Sequence, residues 1–203
     1  MTDASISASY DDRAAEYVEL LGSIEQMDAA DRRSIGTWRD ATTGRLLDAG
    51  CGPGLWTQFL HAPDRDVVGV DIASEFLASA RERFPHVDFV RASLRDLPFE
   101  DASFGGILAW YSLIHTPPAD LSEILSELAR VLAPGGSLLI GYFDGSPREP
   151  FAHAITTAYF WSESELTKLL AEARLVVVSR DERARRPGEA SSRPHGAVIA
   201  RRG

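Results

Sequence analysis

Residues 46–54 read LLDAGCGPG: an apolar pair, an acid, and glycines at the alternate positions 50, 52 and 54. Each glycine raises the entropy lost when the chain is ordered. Three within five residues therefore mark a backbone that must turn unusually or approach another group closely. The stretch ends an apolar run and precedes a helix pattern made by Trp56, Phe59 and Leu60. A strand, a glycine loop and a helix start in that order form a ligand seat at the C-terminal edge of a parallel sheet. Two nucleotide-binding loops share this arrangement, and spacing separates them from the present one. A dinucleotide fingerprint needs glycine three residues after its second glycine; counted from Gly50 and Gly52, that place holds Leu55, and no Gly-Lys-Ser/Thr of a phosphate loop occurs.

Further strands are expected around the first, over 45–49, 66–71, 87–91, 106–111, 137–143, 175–180 and 197–201. Most are continuous apolar runs rather than alternating ones, as strands covered on both faces require. Helix patterns lie between them. Leu121, Ile124, Leu125, Leu128 and Leu132 fill one helical face, introduced by Pro117 and Pro118 and ended by Pro134-Gly135-Gly136. Ser162 and Glu165 make a capping box for a helix running to about 174. Repeated strand, helix, strand units imply an α/β doubly wound, mostly parallel sheet with helices on both sides.

The first forty residues carry Tyr10, Ala14, Tyr17, Val18 and Leu21, then Ile24, Met27 and Ile35, a pattern for two helices capping the site. The expected organisation is one domain over 1–203: a helical cap over 1–40, a cofactor-binding half over 41–143 and a substrate-side half over 144–203.

Composition narrows the class. With 44% apolar and 25% charged residues among 203, the chain is expected to form an ordinary globular core, and no apolar run is long enough to span a bilayer. A net charge of -9 disfavours an extended nucleic-acid footprint. The arginine-rich stretch 180–196 is interspersed with Asp181, Glu182 and Glu189 and is read as a mobile loop. The N-terminal sequence lacks a basic head and an apolar h-region, and Cys51 stands alone, so the cytoplasm is the expected compartment. No His/Cys/carboxylate cluster has metal-ligand spacing, and none of these features decides between monomer and homodimer.

Asp48, the three glycines, and Asp71 ending the next strand in VVGVDIAS together resemble the class I S-adenosylmethionine-dependent methyltransferases. Leu97-Pro98-Phe99, the run ILAWYSLIHTPP and LARVLAPGGSLLIGYF match the order and spacing of that family, most closely its small stand-alone enzymes acting on small molecules. The resemblance implies a seven-stranded sheet of order 3-2-1-4-5-7-6 with the last strand antiparallel. It also implies S-adenosylmethionine as cofactor and a small-molecule acceptor.

By the same resemblance, Gly50, Gly52 and Gly54 let the amino-acid part of the cofactor lie against bare backbone, Asp48 sits near its ammonium, and Asp71, followed by Ile72, accepts from the ribose hydroxyls. Taken singly, Gly52 or Gly54 is also explained by a tight turn, and Asp71 by a helix N-terminal acid. Where the family often has Gly-Asp for the adenine amino group, this chain has Ala92-Ser93, leaving Ser93 and the backbone of Leu94 as adenine contacts. Trp110 flanks the sulfonium or packs in the core, and Tyr10 and Tyr17 close over the cofactor or form a packed helix face.

Methyl transfer from a sulfonium needs a base only when the nucleophile starts protonated and weakly acidic. His115, past the fourth strand, and His153, in the loop after the fifth, are the candidates for base or substrate contact, against a structural role tying loop to strand. The aromatic segment 144–161 is expected to wall the acceptor. Two rival functions stand beside methyl transfer: a nicotinamide-dependent oxidoreductase, disfavoured by Leu55, and a non-catalytic module that binds S-adenosylmethionine.

Overall fold

The computed structural model describes residues 2–11, 13–14, 23–183 and 193–203. Tyr17, Val18, Leu21 and most of the arginine-rich stretch lie outside them. Strands β1 (Leu46–Ala49), β2 (Val67–Asp71), β3 (Asp88–Arg91), β4 (Phe104–Trp110) and β5 (Leu132–Phe143) pair in parallel. A short antiparallel hairpin, β6 (Pro150–Ala152) with β7 (Thr157–Tyr159), stands apart from the sheet. β8 (Leu175–Arg183) and β9 (His195–Arg202) complete the order β3-β2-β1-β4-β5-β9-β8, with β9 antiparallel to both its neighbours. The order and the reversed last strand are those that the family resemblance implies.

Alternation along the strands divides the core. Leu47, Ala49, Ile107, Ala109, Leu138 and Ile140 face α5 (Leu121–Val131) and α6 (Glu163–Glu172), whereas Leu46, Leu108 and Leu139 face α2 (Ala29–Ala41) and α3 (Leu55–Leu60). All four residues of β1 are buried, which explains why its sequence shows no polar alternation. Leu125 and Leu128, fully buried on the inner face of α5, are of the class whose truncation to alanine costs about 2–5 kcal/mol.

The N-terminal helices do different work. α1 (Asp3–Asp11) docks on α4 (Ser74–Arg83) through Tyr10, whose ring lies 5.3 Å from that of Phe76. α2 instead buries Ile35 and Trp38 against the sheet, so it belongs to the helical layer.

Several local expectations are adjusted. β5 begins at Leu132 rather than near 137, because Leu132 pairs with Phe104; the next pair is Gly106 with Ser137, so Pro134-Gly135-Gly136 bulges out of the ladder instead of preceding it. Ser162 caps α6 by accepting from the Glu165 N–H at 3.3 Å, but the Glu165 carboxylate binds Arg148 and Lys168 rather than closing the box. Trp161 is buried in the main core beneath α6, not in an acceptor wall. Gly105 passes under the chain at Thr43: a Cβ there would lie 1.8 Å from the Thr43 carbonyl oxygen.

Candidate active site

The glycine loop joins β1 to α3, and all three glycines have left-handed backbones, with φ of 78° at Gly50, 52° at Gly52 and 82° at Gly54. Their reasons differ. A Cβ on Gly50 would meet the Ser112 Cβ at 2.2 Å, and one on Gly54 would meet the Phe89 ring at 2.7 Å. At Gly52 the nearest atom belongs to Phe76, 3.8 Å away. The loop is thus tightly packed at its ends and only in ordinary contact at its middle.

Two acids hold this loop. Asp71 closes it: its Oδ2 accepts from the Gly52 N–H and its Oδ1 from the Ala73 N–H, both at 2.8 Å. Each oxygen keeps capacity for a further donor, since a carboxylate offers about four lone-pair sites. Asp48 is 2% exposed and accepts from Thr57 Oγ1 at 2.7 Å, a partner supplied by the first turn of α3. Burial pushes its pKa up to about 7, against the lowering effect of the Thr57 hydrogen bond, and the neighbouring Asp71 charge adds to the rise. Burial raises Asp71 as well, opposed by the backbone N–H groups it accepts from. Two acids held this way favour a cationic or hydroxyl-bearing ligand that compensates them.

Ile72 follows at the C-terminal end of β2, and its carbonyl accepts from the Ser7 hydroxyl of α1 at 3.1 Å. The Ser93 hydroxyl donates to the Asp3 carboxylate of α1, and Leu94 packs on the main core. Asp3 also pairs with Arg95, which reaches Asp120 at 2.8 Å and Glu123 at 2.5 Å. Asp3, Ser7 and Asp11 recur every fourth residue, and each bonds the body of the protein, Asp11 through the Glu75 N–H at 3.0 Å. α1 therefore lies along the ends of β2 and β3 on a polar face.

Beyond β4 the chain reverses through Tyr111, left-handed at φ 54°. His115 is 3% exposed; its Nδ1 is 2.8 Å from the Thr157 carbonyl oxygen, and its Nε2 is buried with no hydrogen-bond partner among the described residues. His153 stands with its ring 5.0 Å from that of His115, and Tyr10 lies 5.6 Å away on another side. Burial lowers the His115 pKa. Burial, then the positive charges His115, Arg193 and Arg13 would present, push His153 down to about 4. Both rings are neutral at pH 7.

Tyr10, His115 and His153 are thus brought together, and Tyr10 connects them through Phe76 to Gly52, whose Cβ position would lie 3.8 Å from the Phe76 ring. Trp110 does not join them. It shares the sheet face of Leu108, with its ring 6.5 Å from that of Trp56, and it is the reason Gly141 is glycine, since a Cβ there would lie 2.7 Å from the indole. Sequence reasoning passed over Thr57, Ser112, Asp3 and Arg95. Thr57, a polar residue on the inner face of a short apolar helix, offered a signal; the others depend on contacts between distant segments. No group of His, Cys, Asp and Glu arranged to hold a metal ion occurs among the described residues.

A family model for a methyltransferase domain matches residues 46–136, the span from β1 through the bulge of β5. Over that span the chain is a methyltransferase domain, similar to the class I S-adenosylmethionine-dependent enzymes. It is 34% identical over 127 residues to a malonyl-[acyl-carrier protein] O-methyltransferase from Erwinia billingiae, covering 63% of this chain and 49% of that protein. It is 32% identical over 149 residues to a demethylmenaquinone methyltransferase from Beutenbergia cavernae, covering 72% and 61%. The chain thus spans about half to three fifths of the length of these curated relatives.

In fold it is similar to the 1,6-didemethyltoxoflavin-N1-methyltransferase of Burkholderia thailandensis, solved with S-adenosylhomocysteine, at a TM-score of 0.76 and 23% identity over all of this chain and 91% of that one. It is also similar to the [4+2]-cyclase SpnF, at 0.81 and 19% over all of this chain and 97% of that one. The second likeness shows that the fold alone does not dictate methyl transfer. The family's cofactor is S-adenosylmethionine, and the residues present fit it: a Gly52 crowded by nothing closer than the Phe76 ring at 3.8 Å, a buried Ser112 hydroxyl beside Gly50 with no partner among the described residues, and two acids whose pKa values burial has raised.

Proposed function

We propose that this chain binds S-adenosylmethionine at the glycine loop and methylates a small molecule held beside His115 and His153. The observation that carries the reading is the loop itself: three left-handed glycines closed on Asp71, the middle one crowded by no atom closer than the Phe76 ring at 3.8 Å. When bound, the cofactor supplies a methyl group on a sulfonium, whose departure needs no proton. The work left to the protein is placement. Asp48 compensates an ammonium, and Asp71 orders the loop while accepting from hydroxyls. Ile72, Ser93 and Leu94 border the adenine end under α1, and Tyr10 covers the middle.

His115 takes the proton of the acceptor at Nε2. Its Nδ1 faces a carbonyl oxygen, which only accepts, so Nδ1 carries the hydrogen and Nε2 presents the lone pair. The site is built in one domain, with residues 41–143 serving the cofactor, 144–203 the acceptor, and α1 of the N-terminal segment closing over both. Trp110 packs behind the site rather than flanking the sulfonium. The compartment read from the lone Cys51 is the cytoplasm.

Calorimetric titration with S-adenosylhomocysteine, followed by transfer of a labelled methyl group to a metabolite panel, tests the reading. We expect micromolar-range binding and turnover of at least one acceptor. Binding without turnover would favour a module that uses the cofactor structurally, and preferential binding of a nicotinamide nucleotide would overturn the assignment.

A further inference from the structure

A nucleoside ligand seated on the glycine loop after β1, with its ribose at Asp71 ending β2, has its base directed to the next strand end, the turn after β3. β3 pairs with β2 through Arg91 and Asp71, and the Ala92 N–H donates to the Asp71 carbonyl at 3.1 Å, so the chain leaves the sheet at residues 92–94 directly beside Asp71. A purine bearing an amino group brings N–H donors to that turn. The turn has to answer with acceptors.

Ser93 has little capacity left. Its hydroxyl hydrogen is given to the Asp3 carboxylate of α1, and its oxygen already accepts from the Arg95 N–H at 3.1 Å, which leaves one lone pair. Asp96, the nearest acid within the turn, is exposed and bends the chain back by donating its N–H to the Ser93 carbonyl at 3.2 Å. Asp3 comes to the same turn from 90 positions away in sequence. Its Oδ2 accepts from Ser93 and its Oδ1 from Arg95 Nε at 3.3 Å, while its side chain stays 35% exposed. Two donors thus occupy a group with about four lone-pair sites, and a charged acceptor binds N–H donors about twice as strongly as a neutral one. The carboxylate is also held in place. One turn along α1, Ser7 donates to the Ile72 carbonyl at 3.1 Å, and one turn further Asp11 accepts from the Glu75 N–H at 3.0 Å.

We propose that Asp3 recognises the base of the cofactor. Its carboxylate, steered by Ser93 and Arg95, accepts from the exocyclic amino group of adenine, so α1 supplies from the N-terminal segment an acid that residues 92–94 lack. The proposal rests on the cofactor reading above. Its rival is a purely mechanical Asp3 that ties α1 to Arg95 and meets no ligand.

The test is calorimetric titration of the wild-type protein, Asp3→Asn, Asp3→Ala and Asp96→Asn with two probes: S-adenosylhomocysteine, and S-inosylhomocysteine, in which a carbonyl oxygen replaces the amino group. The wild type should bind the adenine form about tenfold or more tighter, because a carboxylate facing a carbonyl sets acceptor against acceptor. Both Asp3 variants should cut that ratio to about threefold or less, and Asp96→Asn should leave it within about twofold. A mechanical Asp3 predicts that its variants change the two affinities by the same factor and keep the ratio, which would overturn the proposal. So would a wild type that does not discriminate, or a ratio lost in Asp96→Asn and kept in the Asp3 variants. If the wild type fails to bind S-adenosylhomocysteine at all, the cofactor reading falls and takes this proposal with it; binding with an unaltered ratio removes this proposal alone.

Discussion

His115 Nδ1 lies 2.8 Å from the carbonyl oxygen of Thr157, a backbone atom on the hairpin strand β7. Because the carbonyl only accepts, this contact selects the tautomer and leaves Nε2 as a lone pair inside the protein. Replacing His115 by Gln removes the proton acceptor while keeping a side chain able to donate to Thr157. Turnover should fall roughly 10²–10⁴-fold, the contribution of a positioned base, with S-adenosylhomocysteine affinity unchanged. A loss below fivefold with a true acceptor would leave His115 a structural residue.

The two histidines also predict a pH dependence. Burial holds both below the ordinary imidazole value, His153 at about 4, so the folded protein keeps them neutral where the unfolded chain takes up protons. Stability from this source is present above about pH 6.5 and is lost as pH falls through that value toward 4. Thermal melts between pH 8 and 4 should show this decline, and a His153→Asn variant should show a shallower one. An unchanged slope would mean that His153 is protonated in the fold.

Asp48 carries the opposite sign. Its folded pKa of about 7 lies above the unfolded value, so the stability it contributes is present in acid and lost as pH rises toward 7. Asp48→Asn should therefore stabilise the ligand-free protein at pH 8 by roughly 1–3 kcal/mol, with the difference closing below pH 4. The same substitution should weaken S-adenosylhomocysteine. In wild type near pH 7, binding should release part of a proton, seen as a buffer-dependent enthalpy.

The glycine loop separates fold from function. Gly50→Ala drives a Cβ into Ser112 and should lower the melting temperature markedly, whereas Gly52→Val meets no neighbour closer than ordinary contact and is burdened mainly by its left-handed backbone, about 1–2 kcal/mol. Gly52→Val should thus remain folded by circular dichroism and lose ligand binding. Asp71→Ala should weaken binding by about 1.5–3 kcal/mol, the scale for charge-assisted hydrogen bonds. Full affinity in a folded Asp71 variant would sink the ribose assignment.

Arg95 joins α1 to α5 by pairing with Asp3, Asp120 and Glu123. Arg95→Ala should accelerate hydrogen exchange in residues 3–11 and leave the exchange of β1 and β4 unchanged. Equal acceleration throughout would mean that α1 and the sheet open as one unit.

The sequence by itself determined the sheet. Continuous apolar runs such as Leu46–Ala49 and Val67–Asp71 leave no polar face to wet, which suits central parallel strands, and the glycines between β1 and α3 announced a backbone that turns or is closely approached. These are local properties: periodicity, composition and the placing of glycines. What the tertiary structure decided depends on segments far apart in the chain. The orphaned His115 Nε2 exists because a backbone carbonyl 42 residues away takes the other nitrogen, and no residue type at 157 announces a carbonyl. Trp110 and Tyr111 are adjacent in sequence, yet one packs behind the sheet and the other against Phe143, because a left-handed turn at Tyr111 redirects the chain. Arg13 and Arg193, 180 positions apart, meet on one hairpin turn only after the sheet has brought both ends of the chain to its C-terminal edge.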